Sequence, residues 1–315
     1  SIPTSTNPFQ GTINALKFYD GVTNVGSPAT WTLGFVDERG VFAGGLISST
    51  SSNVMDYINI ATLGNATDFG DLTVAGHTLA GGVTNGTRGV FAGGNNRSNI
   101  IDYITIATLG NSTDFGDLLG NRSDQYGGIT STTRGIWSCG YIGGNTATID
   151  YITIATTGNA SDFGDATVAR REQTSTSNDT RGLTCGGWTG ANSDVIDYVT
   201  IATTGNATDF GNLITANYAF GGCSNTTRSV LSGGGVATNV IQYVTIATTG
   251  NATDFGDLLT NRYSMISSQS ETRGVFAGGH SNSDIISYIT IATLGNATDF
   301  GDLTVGRQSG GGTWA

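Results

Sequence analysis

Residues 56–72 read DYINIATLGNATDFGDL, and near-copies of that stretch begin at Asp102, Asp150, Asp197, Gln242 and Ser287. The tyrosines that anchor the copies, Tyr57, Tyr103, Tyr151, Tyr198, Tyr243 and Tyr288, are separated by 46, 48, 47, 45 and 45 residues. That period is the length of one four-stranded propeller blade, and a unit so small buries its apolar face only when neighbours stack on it. Within a copy, Tyr-Ile-Thr-Ile alternates with the period of a half-buried strand. The Gly-Asn-Ala-Thr-Asp that follows is turn chemistry, because Gly and Asn tolerate positive φ and Asn or Asp can bond its own nearby backbone.

The fourth copy gives the unit: a first strand over 173–178, a second over 181–187 ending in a double glycine, and a third over 195–203. Residues 68–74 exemplify the fourth strand, so each copy is a meander of four strands joined by hairpins. The expected fold is all-β, a six-bladed β-propeller with four antiparallel strands per blade. Residues after the sixth copy match a lone first strand, while residues from Arg39 open on a second strand that lacks one. Pairing 307–314 beside 41–44 closes the ring with the carboxyl-terminal strand and removes the exposed edges. This division gives a propeller over 37–315 and an amino-terminal arm or attachment segment over 1–36.

Composition agrees with many tight turns: 49 glycines, 3 prolines and 12% charged residues. No window approaches the roughly 18 consecutive apolar residues of a membrane span, and the amino end carries neither the basic cluster nor the apolar core of a signal peptide. The net charge of −11, with Lys17 the single lysine, repels phosphate backbones and anionic membrane faces. Nucleic-acid binding and membrane insertion are therefore not expected. Cys139, Cys185 and Cys223 have no metal-like spacing; the first two fall in second-strand positions and read as small buried apolar side chains.

Two polar series recur in every copy. Arg39, Arg88, Arg134, Arg181, Arg228 and Arg273 precede the glycine-rich strand, and Asp68, Asp114, Asp162, Asp209, Asp254 and Asp299 precede the phenylalanine. Six repetitions point to scaffold and not catalysis, and the expectation is a sixfold lattice of guanidinium–carboxylate pairs.

The double glycine Gly44-Gly45, the tyrosine Tyr57 and the aromatic Phe69 resemble the kelch family of β-propellers, although the aromatic stands 12 residues behind the tyrosine, farther than in the family pattern. The wording Ile-Asp-Tyr-Ile-Thr-Ile-Ala-Thr and Gly-Asn-Ala-Thr-Asp-Phe-Gly-Asp-Leu is similar to repeats in structural proteins of tailed marine bacteriophages, notably cyanophages. Leu16-Lys-Phe-Tyr-Asp-Gly followed by Trp31 resembles strand pairs near the ends of phage fibre and appendage proteins. The resemblance implies a virion component on the particle exterior, extracellular, with other virion proteins or host-surface glycans and proteins as partners.

Loops between second and third strands share one face with the crossovers to the next blade; the Gly-Asn-Ala-Thr turns lie on the other. The turns repeat almost letter for letter, whereas the loops 46–53, 95–99, 141–148, 188–194, 235–239 and 280–284 diverge. Shared scaffold with divergent loops describes a recognition surface, and equally describes drift without selection. Its candidate binding residues are Asn95, Asn96, Arg97, Tyr141, Asn145, Trp188, Asn192, His280 and Asn282, aromatic faces and amides of the kind that hold sugars or polar protein surfaces.

Catalytic residues are not expected: His77 and His280, the only histidines, occupy different places in their units and assemble neither a zinc set nor a Ser-His-Asp relay. Asn65, Asp68 and Asp71 place oxygen donors close together, yet not with the spacing of a calcium loop, so hydrogen-bonded turns are the simpler reading and no metal or cofactor is expected. Asn-Ala-Thr also matches a glycosylation acceptor. The sequence thus reads as a non-enzymatic virion structural protein making protein or host-surface contacts; the alternative is a carbohydrate-binding propeller lectin.

Overall fold

The computed structural model describes residues 38–75, 81–94, 98–236 and 238–315. These form a β-propeller of six four-stranded antiparallel blades, with all regular structure in strands. From the axis outward, blade one is Gly311–Trp314, Arg39–Ala43, Val54–Asn59 and Thr67–Asp71; blade four is Gln173–Ser177, Arg181–Cys185, Ser193–Thr200 and Thr208–Asn217. The ring closes as the repeat arithmetic requires, with Gly40 opposite Trp314 and Ala43 opposite Gly311. The closing strand is shorter than 307–314 because 307–310 serve as a crossover. The proposed arm over 1–36 lies outside the described residues.

Second strands show why blades must stack: in Arg39–Ala43 and its five counterparts every residue after the arginine is buried. Both faces of each sheet are covered, so core clusters are shared between blades. One joins Val83, Val90 and Phe115 of blade two to Trp137, Ile152 and Ile154 of blade three, and each such side chain contributes about 1.5–3 kcal/mol on burial. Third and outer strands share a β-bulge in every blade; in blade one Met55 pairs with Gly70 but Asp56 pairs with Asp68. The extra residue, Phe69, turns inward to meet Tyr57 edge-on at 6.1 Å.

The Gly-Asn-Ala-Thr segment is more than a turn. Gly110 and Ser112 of blade two donate their amides to Phe69 and Asp71 of blade one, and Asn111 Oδ1 accepts the amide of Asp71 at 3.0 Å. The pattern recurs around the ring and ends with Asn65 accepting from Asp302 at 3.1 Å. The asparagine expected to bond its own backbone thus bonds the adjacent blade.

Loop bounds differ from the sequence expectation in blades two to four. Third strands begin at Ser98, Thr146 and Ser193, inside segments expected as loops, because Arg122, Arg170 and Asn217 extend the outer strands to pair with them. Cys139 is buried as expected but stands where other copies have the first glycine of the pair, with φ of 60°.

The axis is plugged. Tyr126 inserts its hydroxyl within 3.1 Å of Ser264 Oγ and 3.4 Å of Ser309 Oγ, and the remaining cavity of about 30 Å³ has room for only a water or two.

Candidate functional site

The six repeated arginines do other work than ion pairing with the Asp-Phe aspartates. Arg88 lies over the Tyr103 ring at 4.3 Å and donates to the Ile154 carbonyl of the next blade at 3.0 Å. Arg39, Arg134, Arg181, Arg228 and Arg273 repeat both contacts with their own tyrosines and with carbonyls one blade on. Asp68, Asp114, Asp162, Asp209, Asp254 and Asp299 stand exposed at the start of the outer strand. The reason is the bulge: turning Phe69 inward leaves the residue before it pointing to solvent.

Buried ion pairs among the described residues run through a different series. Arg122 reaches Asp150 at 3.0 Å, Arg170 reaches Asp197 at 2.8 Å and Arg307 reaches Asp56 at 2.9 Å. Each arginine ends one blade's outer strand or begins the crossover, and each carboxylate belongs to the next blade, so every such pair is a second staple. Where blade five supplies Arg262, blade six offers no carboxylate: the guanidinium donates to the Gly278 and Ile285 carbonyls at 3.1 and 2.8 Å and to the Ser287 hydroxyl. Burial pushes that guanidinium down to about 10. These arginines were legible as a cation four residues beyond the leucine or alanine that closes Asp-Phe-Gly-Asp-Leu.

The opposite face to the Gly-Asn-Ala-Thr turns is built as two concentric rings. In the inner ring, the amide of Glu172 donates to Asp124 at 2.7 Å, Ala219 to Glu172 at 2.8 Å, Ser264 to Ala219 at 2.7 Å and Ser309 to Ser264 at 2.7 Å. All five residues hold φ between 53° and 63°, a left-handed conformation that costs a non-glycine residue about 1 kcal/mol or more. Among the described residues the outer ring pairs second-to-third-strand loops with crossovers: Leu46 with Gln308, Tyr141 with Ser123, Trp188 with Arg171, Gly235 with Tyr218, and His280 with Tyr263.

Aromatic and charged side chains gather on this outer ring. The Arg171 guanidinium lies 5.0 Å from the Tyr141 ring centre. Trp188 and Tyr218 meet edge-on at 5.7 Å, and Tyr263 stacks on His280 at 4.4 Å. Arg171 Nε also reaches Glu172 Oε1 at 3.2 Å and Asp124 Oδ2 at 3.9 Å. Desolvation raises the carboxyls of both Asp124 and Glu172; Arg171 opposes the shift in each, and Asp124 adds to it at Glu172.

Of the residues singled out by sequence, Tyr141, Asn145 and Trp188 come together, with Asn145 Nδ2 donating to the Trp188 carbonyl at 2.9 Å. Asn192 is exposed and pairs back to Trp188 across its own loop. His280 and Asn282 sit two blades away, where Asn282 Oδ1 accepts the Ser48 amide at 3.0 Å and ties blade six to blade one. Asn95, Asn96 and Arg97 lie outside the described residues. Sequence reasoning missed Asp124, Arg171, Glu172, Tyr218 and Tyr263, all on crossovers; their signal was divergence at a fixed offset after the fourth strand. Among the described residues no three His, Cys, Asp or Glu side chains converge as metal ligands would.

No protein-family model matches this chain, and no curated protein matches it either.

Proposed function

We propose that this propeller is a non-enzymatic structural protein of a phage exterior whose loop-bearing face makes the contacts, with other virion proteins or with the host surface. One observation carries the reading: the two faces are used differently. On one, the repeated turns are consumed in bonding blade to blade, with Asn111 and its counterparts already engaged. On the other, non-repeated aromatic and charged side chains are held half-exposed by a repeated backbone frame. Invariant stitching below and individual side chains above is the division expected of a rigid presenter of recognition groups. The virion setting rests on the resemblance of the repeat wording to phage structural proteins.

Antibody fragments that lose binding on Trp188→Ala report the loop face, and fragments that lose binding on Leu63→Ala report the turn face. Loop-face fragments should decorate intact particles and block adsorption or assembly, while turn-face fragments do neither. Particles that carry no such antigen, or whose adsorption and assembly ignore loop-face fragments, would overturn the reading.

A further inference from the structure

Resting on the loop-face reading above, we propose that the crossovers flanking blade four form a saccharide site, which takes an uncharged pyranose against the Trp188 indole with its hydroxyls on Glu172 and Arg171.

The platform is preformed. Tyr218 lies across Gly235, where any Cβ would overlap its ring, and from there it props the Trp188 indole edge-on at 5.7 Å. A half-buried indole held by packing and by the Arg171–Trp188 backbone pair offers a stacking face with little rotamer entropy left to lose. The crossover whose Arg171 backbone pairs with Trp188 carries both kinds of hydrogen-bonding group that a ring of hydroxyls requires. Arg171 donates, and Glu172 and Asp124 accept, with side chains 30%, 22% and 18% exposed respectively. Planar charged groups partly withdrawn from water make hydrogen bonds roughly twice as strong as neutral pairs.

Ligand charge follows from what is already there. A cation would have to displace Arg171, which already occupies the Tyr141 ring face and pairs with both carboxylates. An anion would meet two carboxylates against one guanidinium, at a place where desolvation already penalises negative charge. An uncharged polyol can use the donors and acceptors together. The site is also singular: tryptophan faces arginine at this loop–crossover pair in one copy only, so it is not part of the sixfold scaffold.

The test titrates the full chain with methyl α-glucoside, methyl α-mannoside, methyl α-galactoside, lactose and maltose, with glucuronate and choline as charged probes. The readout is the Trp188 indole N–H resonance, assigned by its loss in Trp188→Ala. At least one uncharged saccharide should shift that resonance saturably. Measured by titration calorimetry, Trp188→Ala and Glu172→Gln should each weaken its binding tenfold or more at unchanged melting temperature, while Leu63→Ala on the turn face, 56% exposed, leaves it as it was. Silence across the uncharged panel, tighter binding of glucuronate or choline, or full affinity in Trp188→Ala overturns the proposal. A silent panel alongside loop-face antibodies that still block adsorption or assembly overturns the saccharide site alone and leaves the contact face standing.

Discussion

At the residue scale, Arg134 shows what the repeated guanidinium does. It rests 4.8 Å from the Tyr151 ring centre and donates to the Ile201 carbonyl at 2.8 Å. A partly desolvated cation–π contact and a charged hydrogen bond together contribute about 3 kcal/mol. Arg134→Met should therefore lower the melting temperature by roughly 5 °C at this chain length, and calorimetry on the purified chain checks it; a drop of a degree or less would mean the contact is incidental. The second series carries a prediction of opposite sign. Ser287 occupies the place of Asp56, Asp150 and Asp197, opposite a buried Arg262, so Ser287→Asp should supply the missing carboxylate and raise the melting temperature by a few degrees. That these arginines are structural was legible from sixfold repetition. Their partners were not, because the choice between Asp68 and a neighbouring blade's carbonyl depends on a bulge that leaves no mark in the alternation of Thr-Asp-Phe-Gly-Asp.

At the scale of the element, the bulged outer strand and the turn of the next blade are one joint. A Cβ on Gly116 would stand 2.5 Å from the Gly158 carbonyl oxygen, whereas a Cβ on Gly158 meets nothing within 4 Å. Both glycines hold strongly positive φ, 147° and 154°. Conformational strain alone predicts similar losses for the two alanine variants; the joint predicts that Gly116→Ala costs about 2 kcal/mol more than Gly158→Ala, since backbone must separate to admit it. Chemical denaturation of the pair measures the difference, and equal losses would show the joint to be loose. Sequence identified the turn from Gly-Asn, yet the conservation of its wording among the six copies has its cause in the neighbouring blade. A reading confined to one unit sees only the local bond that asparagine can make. The same limit hid Tyr218 and Tyr263, whose neighbours in space belong to loops 17 residues farther along the chain.

At the scale of the whole molecule, sixfold regularity and its exceptions separate cleanly. Blade count, strand order and the closing strand were all readable, because a period near 46 residues and two complementary fragments admit few other closed arrangements. The loop-bearing face was readable as a set of divergent loops but not as an assembly, since loops and crossovers meet only once the ring is closed. Closure also has a mechanical corollary. The strand Arg39–Ala43 is gripped on one flank by Gly311–Trp314 and on the other by Val54–Asn59. Tension entering the propeller at Glu38 therefore shears two ladders at once, while tension entering at Ala315 strips a single inner strand. In an optical trap with a common second tether on blade four, the first handle should yield at distinctly higher force than the second, which would suit the amino side of the ring to bearing load.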